Sequence, residues 1–235
     1  MIPFADVNPT RGPAPVNRLL LFVNIAVWIY IVSLQRTPGA LDAFFARYAF
    51  DWSRFTSDIA SGAWTFATFV PLITHMFLHG GWLHIIGNML YLWVFGDNVE
   101  DRLGSGTYLV FYVLCGIVAA VGQGLLSAGP MIGASGAIAG VLGAYLVLWP
   151  GARIRTLIFL GIFITVLPLP AVVVIGFFIV IQLIEGVASL RLPGYAATEQ
   201  VAYFAHLFGF VAGIVLLLLL RGRTRRDPSR YGRYG

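Results

Sequence analysis

Ser135 stands between glycines in Gly133-Ala134-Ser135-Gly136, at the head of an apolar stretch about as long as a membrane helix. A serine so flanked has an exposed hydroxyl with free backbone N–H groups beside it, as a nucleophile and its oxyanion require. Seventy-one residues on, His206 lies inside another apolar stretch, Ala202-Tyr203-Phe204-Ala205-His206-Leu207-Phe208-Gly209. A histidine within hydrocarbon is expensive and is by default a functional-site candidate. The two residues offer a nucleophile and a general base. His84 and Asn88 lie four apart, so on a helix they share one face about a turn apart. Each carries a side-chain donor, and two such donors can address one negatively charged oxygen. Taken singly, each has an ordinary reading. Ser135 alone is a helix-cap serine, His206 alone bridges helices, and Asn88 alone is interhelical glue.

The elements that hold these groups must be membrane helices. Of 235 residues, 59% are hydrophobic and 11% charged, with a mean hydropathy of +0.85; soluble domains carry about 25% charge. At about 20 residues per span there is room for roughly six. Spans are expected near 18–35, 80–98, 105–126, 133–149, 171–190 and 200–220, with long apolar runs instead of the alternation of a barrel. The first run lacks a clean small-residue cleavage site and reads as a retained helix. Residues 36–79 form the longest connection, with a Pro71-interrupted apolar piece expected to lie in the interface or re-enter. Residues 153–170 are apolar but broken by Pro168 and Pro170, and are not counted as a span. The domain reading is 1–17 as a cytoplasmic N-terminal segment, 18–220 as a six-helix catalytic domain and 221–235 as a basic tail.

All fifteen basic residues are arginines. With six spans, eleven of them fall on the side of both termini and four on the other, which places both termini in the cytoplasm. The six tail arginines, just after a span, read as an anchor at anionic lipid, not as a nucleic-acid site. Cys115 is the only cysteine; it excludes an intrachain disulfide and a cysteine-rich metal site, and reads as packing. There is no His-Glu-x-x-His for a metalloprotease and no aspartate pair within two spans. Asp97, Glu100 and Asp101 read as caps and salt bridges at the cytoplasmic end. Glu185 either faces the hollow with Gln182 or snorkels to the interface, and a structural role is the favoured reading. Trp28, Trp82, Trp93 and Trp149 suit interface belts, and His75 and His79 the outer boundary.

Helix length adds a physical constraint. From Ser135 to Pro150 is about 22 Å of helix at 1.5 Å per residue, against a hydrocarbon layer about 30 Å thick. Ser135 then sits roughly 8–10 Å below the outer face, with loop descending to it. Loop backbone at that depth must line protein or a wet cavity, so a water-filled hollow is expected. Gly209 and Gly213 form a small-xxx-small face, and Gly136 and Gly140 form the same device on the serine helix. Pairing these faces would bring Ser135 and His206 into hydrogen-bond range.

These residues together resemble the rhomboid intramembrane serine proteases. The matching residues are His79, His84 and Asn88; Gly133, Ser135 and Gly136; and Ala205, His206, Gly209 and Gly213, with Gly96-x-x-x-Glu100-x-x-x-Gly104 at the cytoplasmic end. The match covers about residues 15–220. The resemblance implies an all-α integral membrane fold, a rhomboid-like six-transmembrane-helix bundle with a partly membrane-embedded first external loop. It implies Ser135 as nucleophile and His206 as general base. Asn88, His84 and the Ser135 N–H would hold the oxyanion, with Gly133, Gly136, Gly209, Gly213 and His79 in support. Substrates would be transmembrane proteins entering from lipid, past a gate formed by span 171–190 and the loop before His206. Membrane lipids are the other expected partner; no cofactor, metal or nucleic acid is implied, and the sequence does not encode an oligomeric state. The alternative is a catalytically silent relative that escorts membrane clients. Two positions depart from the family pattern. Val70-Pro71 stands where many relatives carry Trp-Arg, and Ala139 where many carry an aromatic against the histidine, leaving Phe208 or Tyr203 to position His206.

Overall fold

The structure is a computed structural model and describes residues 1–10, 12–127, 129–161, 163–191 and 202–220. Arg11, the gate loop expected before His206 (192–201, including the start of the span at 200) and the basic tail 221–235 lie outside the described residues.

Six apolar helices build the bundle: α1 (Pro15–Leu34), α2 (Trp82–Leu103), α3 (Ser105–Leu126), α4 (Ser135–Leu148), α5 (Ala171–Arg191) and α6 (Tyr203–Leu219). By length and composition α1, α3 and α5 each suffice to cross a bilayer. The piece Phe66–Phe77 meets α2 at 82°, the geometry of a broken span or a re-entrant loop. The two shorter helices, α4 and α6, are the ones that carry Ser135 and His206. α4 has only 14 residues, about 21 Å, so one end must lie inside the layer. It is buried along nearly its whole length and packs most closely against α6.

The described residues also include five strands: β1 (Ile2–Asp6), β2 (Phe50–Asp51), β3 (Pro130–Met131), β4 (Arg153–Leu160) and β5 (Phe163–Pro170). The stretch 153–170 is therefore an antiparallel hairpin between α4 and α5, not a further apolar helix. β1 adds to its edge, with Ile2 opposite Leu157 and Asp6 opposite Ile154, so the bundle carries a three-stranded sheet that the helical reading did not include. Asp6 joins the sheet to the bundle: its Oδ2 accepts from Tyr145 of α4 at 2.7 Å and from Asn98 Nδ2 of α2 at 2.8 Å.

The Gly96/Glu100/Gly104 spacing has a mechanical meaning. Glu100 takes the unpaired N–H groups at the start of α1, Val16 N at 3.1 Å and Asn17 N at 2.6 Å, and the hydroxyl of Ser105 at 2.6 Å. A carboxylate at a helix N-terminus satisfies orphan donors and the positive end of the dipole together. Any side chain on Gly96 would collide with that of Asn17, which bonds Leu92 O and receives Tyr108 Oη. Gly104, at φ +80°, ends α2 and lets α3 begin at once.

The first loop folds back onto the bundle. Asp51 caps the helix Trp52–Ala60 by accepting from Arg54 N, and Thr65 forms a capping box with Thr68. Trp64, Phe66 and Phe69 stay exposed. His75 and His79 are almost fully buried, because the loop closes over them; His75 Nδ1 donates to Pro71 O at 2.9 Å. Trp28 is likewise buried, edge-on to Trp82 at 5.3 Å, while Trp82 and Trp93 remain exposed. Cys115 is buried and free, its sulfur against Gly140.

Candidate active site

Ser135 is the first residue of α4, so its N–H belongs to the unpaired donors of that helix. The chain reaching it is pinned twice. β3 pairs with β2 of the first loop, Phe50 opposite Met131, and Gly133 N donates to His75 O at 2.9 Å. Gly133 lies at φ +121°, and a Cβ there would stand 2.7 Å from His84 Nε2 and 3.5 Å from Ser135 Oγ. Only glycine gives both the backbone angle and the space. The buried histidine loop thus fixes the approach to the serine.

α6 brings the histidine. A Cβ on Gly209 would strike Gly136 O, and one on Gly213 would strike Gly140 O. The backbones touch where the glycine faces were expected to pair. At this approach His206 Nε2 lies 2.6 Å from Ser135 Oγ. Its other nitrogen, Nδ1, lies 2.6 Å from Gln182 Oε1 of α5. With the amide oxygen turned to the ring, Nδ1–H donates to it and Nε2 presents its lone pair to the Ser135 hydroxyl.

The ring against His206 is Phe178, at 5.8 Å between centroids, also from α5. The expectation that Phe208 or Tyr203 would take this place is replaced by Phe178; Phe208 packs onto Gly122. Ala139 is buried in the helix interface and presents no ring. Gln182 was expected toward the hollow beside Glu185, but not as a partner of His206; spacing gave that pairing no signal, since His206 lies 24 residues away on another helix.

Asn88 and His84 open onto the same space. Asn88 is buried, and its Nδ2 has no partner among the described residues. His84 stands against Gly133, with the His79 ring edge-on to it at 5.0 Å. The hollow they share with Ser135 and His206 measures about 1080 Å³. Its side walls are α2, through Leu83, Gly87 and Tyr91, and α5, through Phe178 and Ser189. Tyr91 and Phe178 meet across it at 5.7 Å. Gln123 also lines it and anchors α6 by accepting from Ala205 N at 3.0 Å. The described residues hold no cluster of metal-ligating side chains. The arrangement supplies a hydroxyl, a base within hydrogen-bond reach of it and free donors around one space, which is the equipment for acyl transfer.

A family model described as "Rhomboid domain" matches residues 65–223. The chain is 42% identical over 88 residues to Rhomboid protease GluP of Bacillus subtilis, covering 37% of this chain and 16% of that protein. It is 27% identical over 160 residues to the chloroplastic Rhomboid-like protein 11 of Arabidopsis thaliana, covering 66% and 54%. It is 34% identical over 71 residues to Rhomboid protease GlpG of Yersinia pestis, covering 30% and 26%. The alignments span at most about half the length of these relatives.

Proposed function

This chain belongs to the rhomboid family, and on that premise we propose that it is an intramembrane serine endopeptidase cutting transmembrane segments of other proteins through Ser135 and His206. The observation that carries this reading is the 2.6 Å contact between Ser135 Oγ and His206 Nε2 inside the hollow.

In the proposed reaction Ser135 Oγ attacks the scissile carbonyl carbon while its proton passes to Nε2. The carbonyl oxygen becomes an oxyanion, received by Asn88 Nδ2, the His84 side chain and the Ser135 N–H. The carbon–nitrogen bond then breaks, and the amine leaves with the proton from Nε2. Water enters, gives one proton to Nε2 and attacks the acyl carbon. Ser135 Oγ departs and recovers that proton. Gly133, Gly136, Gly209 and Gly213 support the site by permitting its close approaches, and His79 by packing on His84. No cofactor takes part in this scheme.

A membrane-anchored substrate would reach Ser135 between α2 and α5, the side walls of the hollow. It must unwind there, because a helical peptide bond is shielded. We place the protein in the cell membrane, with residues 18–220 as the catalytic unit and 1–17 and 221–235 cytoplasmic on the arginine distribution. The hollow opens to the opposite side. Reconstitution with a membrane-anchored test substrate carrying a small or helix-breaking residue checks the reading. Cleavage by the wild type and none by Ser135→Ala is expected. Substrate that binds but stays intact with the wild type would leave the client-escort reading.

A further inference from the structure

We propose that Gln182 is a positioning residue for His206: its side-chain oxygen accepts from Nδ1 and so decides which ring nitrogen is free to take the Ser135 proton. The inference rests on the protease reading. Gln182 and His206 are both buried, with 8% and 7% of their surface exposed, and their polar atoms stand 2.6 Å apart. An amide inside an apolar helix is costly unless partnered, and Gln182 faces the site, not lipid. With the amide oxygen turned to the ring, as it stands here, one tautomer satisfies both bonds. With hydrogen on Nδ1, Oε1 accepts and Nε2 accepts from Ser135. With hydrogen on Nε2, two lone pairs would confront each other at Oε1, and Nε2 could take no proton.

Soluble serine hydrolases give this task to a buried carboxylate. A carboxylate here would carry a charge into an apolar bundle, and a neutral amide avoids that cost. Phe178, one turn earlier on α5, lies against the same ring. Both restraints on the base thus come from α5, while α4 carries the nucleophile and α6 the base itself. α5 also walls the hollow, so an outward swing that widens it would draw the acceptor away from Nδ1.

The test uses the full-length protein and inactivation by a small water-borne fluorophosphonate, which needs no entry from lipid. Gln182→Met keeps the chain length and removes the acceptor; Gln182→Glu restores one. The maximal inactivation rate of Gln182→Met should fall about 10- to 100-fold, the range that removal of the hydrogen-bond partner of a metal-bound histidine gives, with KI unchanged. Gln182→Glu should recover most of the rate. Wild-type rates in Gln182→Met, or equal losses in both variants, would overturn the proposal. A wild type that never labels counts against the protease reading instead. The tautomer can then still be read from the ¹⁵N shifts of His206, where hydrogen mainly on Nε2 would overturn the proposal and hydrogen on Nδ1, lost in Gln182→Met, would sustain it.

Discussion

Gly209 of α6 lies against the backbone of Gly136 on α4 with no room for one added carbon. The distance from base to nucleophile is therefore set by two missing side chains four residues or fewer from the reacting groups. Gly209→Ala must push the helices apart or strain them, at about 1–3 kcal/mol. The thermal midpoint should fall, and fluorophosphonate labelling of the molecules still folded should fall with it. Labelling at the wild-type rate would mean that the close approach does not serve the dyad.

Asn88 separates catalysis from stability. Its Nδ2 is buried with no partner among the described residues in the resting protein, so removing it breaks no hydrogen bond there. Asn88→Ala should slow turnover about 10- to 1000-fold, as loss of an oxyanion donor does, with KM and thermal midpoint little changed. A loss in stability with turnover intact would assign Asn88 to helix packing.

The geometry that sequence disclosed was local in origin. Glycine spacing on two helices indicated that α4 and α6 would meet, and the run from Ser135 to Pro150 indicated a short helix. Pairings across long separations left no such trace. β1 joins β4 about 150 residues away, and an apolar β4–β5 run without polar alternation resembles a broken span. The burial of His75 and His79 depends on the first loop folding under Gly133, which composition does not reveal. Gln182 looked like one polar residue in α5; its meaning appears only when His206 arrives opposite it.

Glu100 should govern assembly without touching chemistry. Glu100→Gln keeps the size but loses the charge that meets the start of α1. A lost cap costs about 0.5–2 kcal/mol, so the unfolding midpoint should drop. The labelling rate per folded molecule should hold. A fall in that rate at unchanged stability would show a link from the cytoplasmic end to the dyad.

Asp6 makes stability depend on pH. Burial, with the neighbouring Asp97 adding to it, raises its carboxyl from the usual carboxylate range to about 6, although Tyr145 donates to it. Between about pH 4 and 6 the folded protein holds a proton that the unfolded chain has released. Stability from this group therefore falls as pH rises through that window. Asp6→Asn, which still offers an acceptor to Tyr145, should melt above the wild type at pH 7.5. The gap should narrow by pH 5. A gap independent of pH would remove Asp6 from the account.

The most direct measurement is mass spectrometry of the fluorophosphonate adduct on wild type, Ser135→Ala and His206→Ala in membranes. The account predicts one adduct, on Ser135, absent from Ser135→Ala and formed far more slowly in His206→Ala. An adduct on another residue, or one on Ser135 that forms as fast without His206, would contradict it.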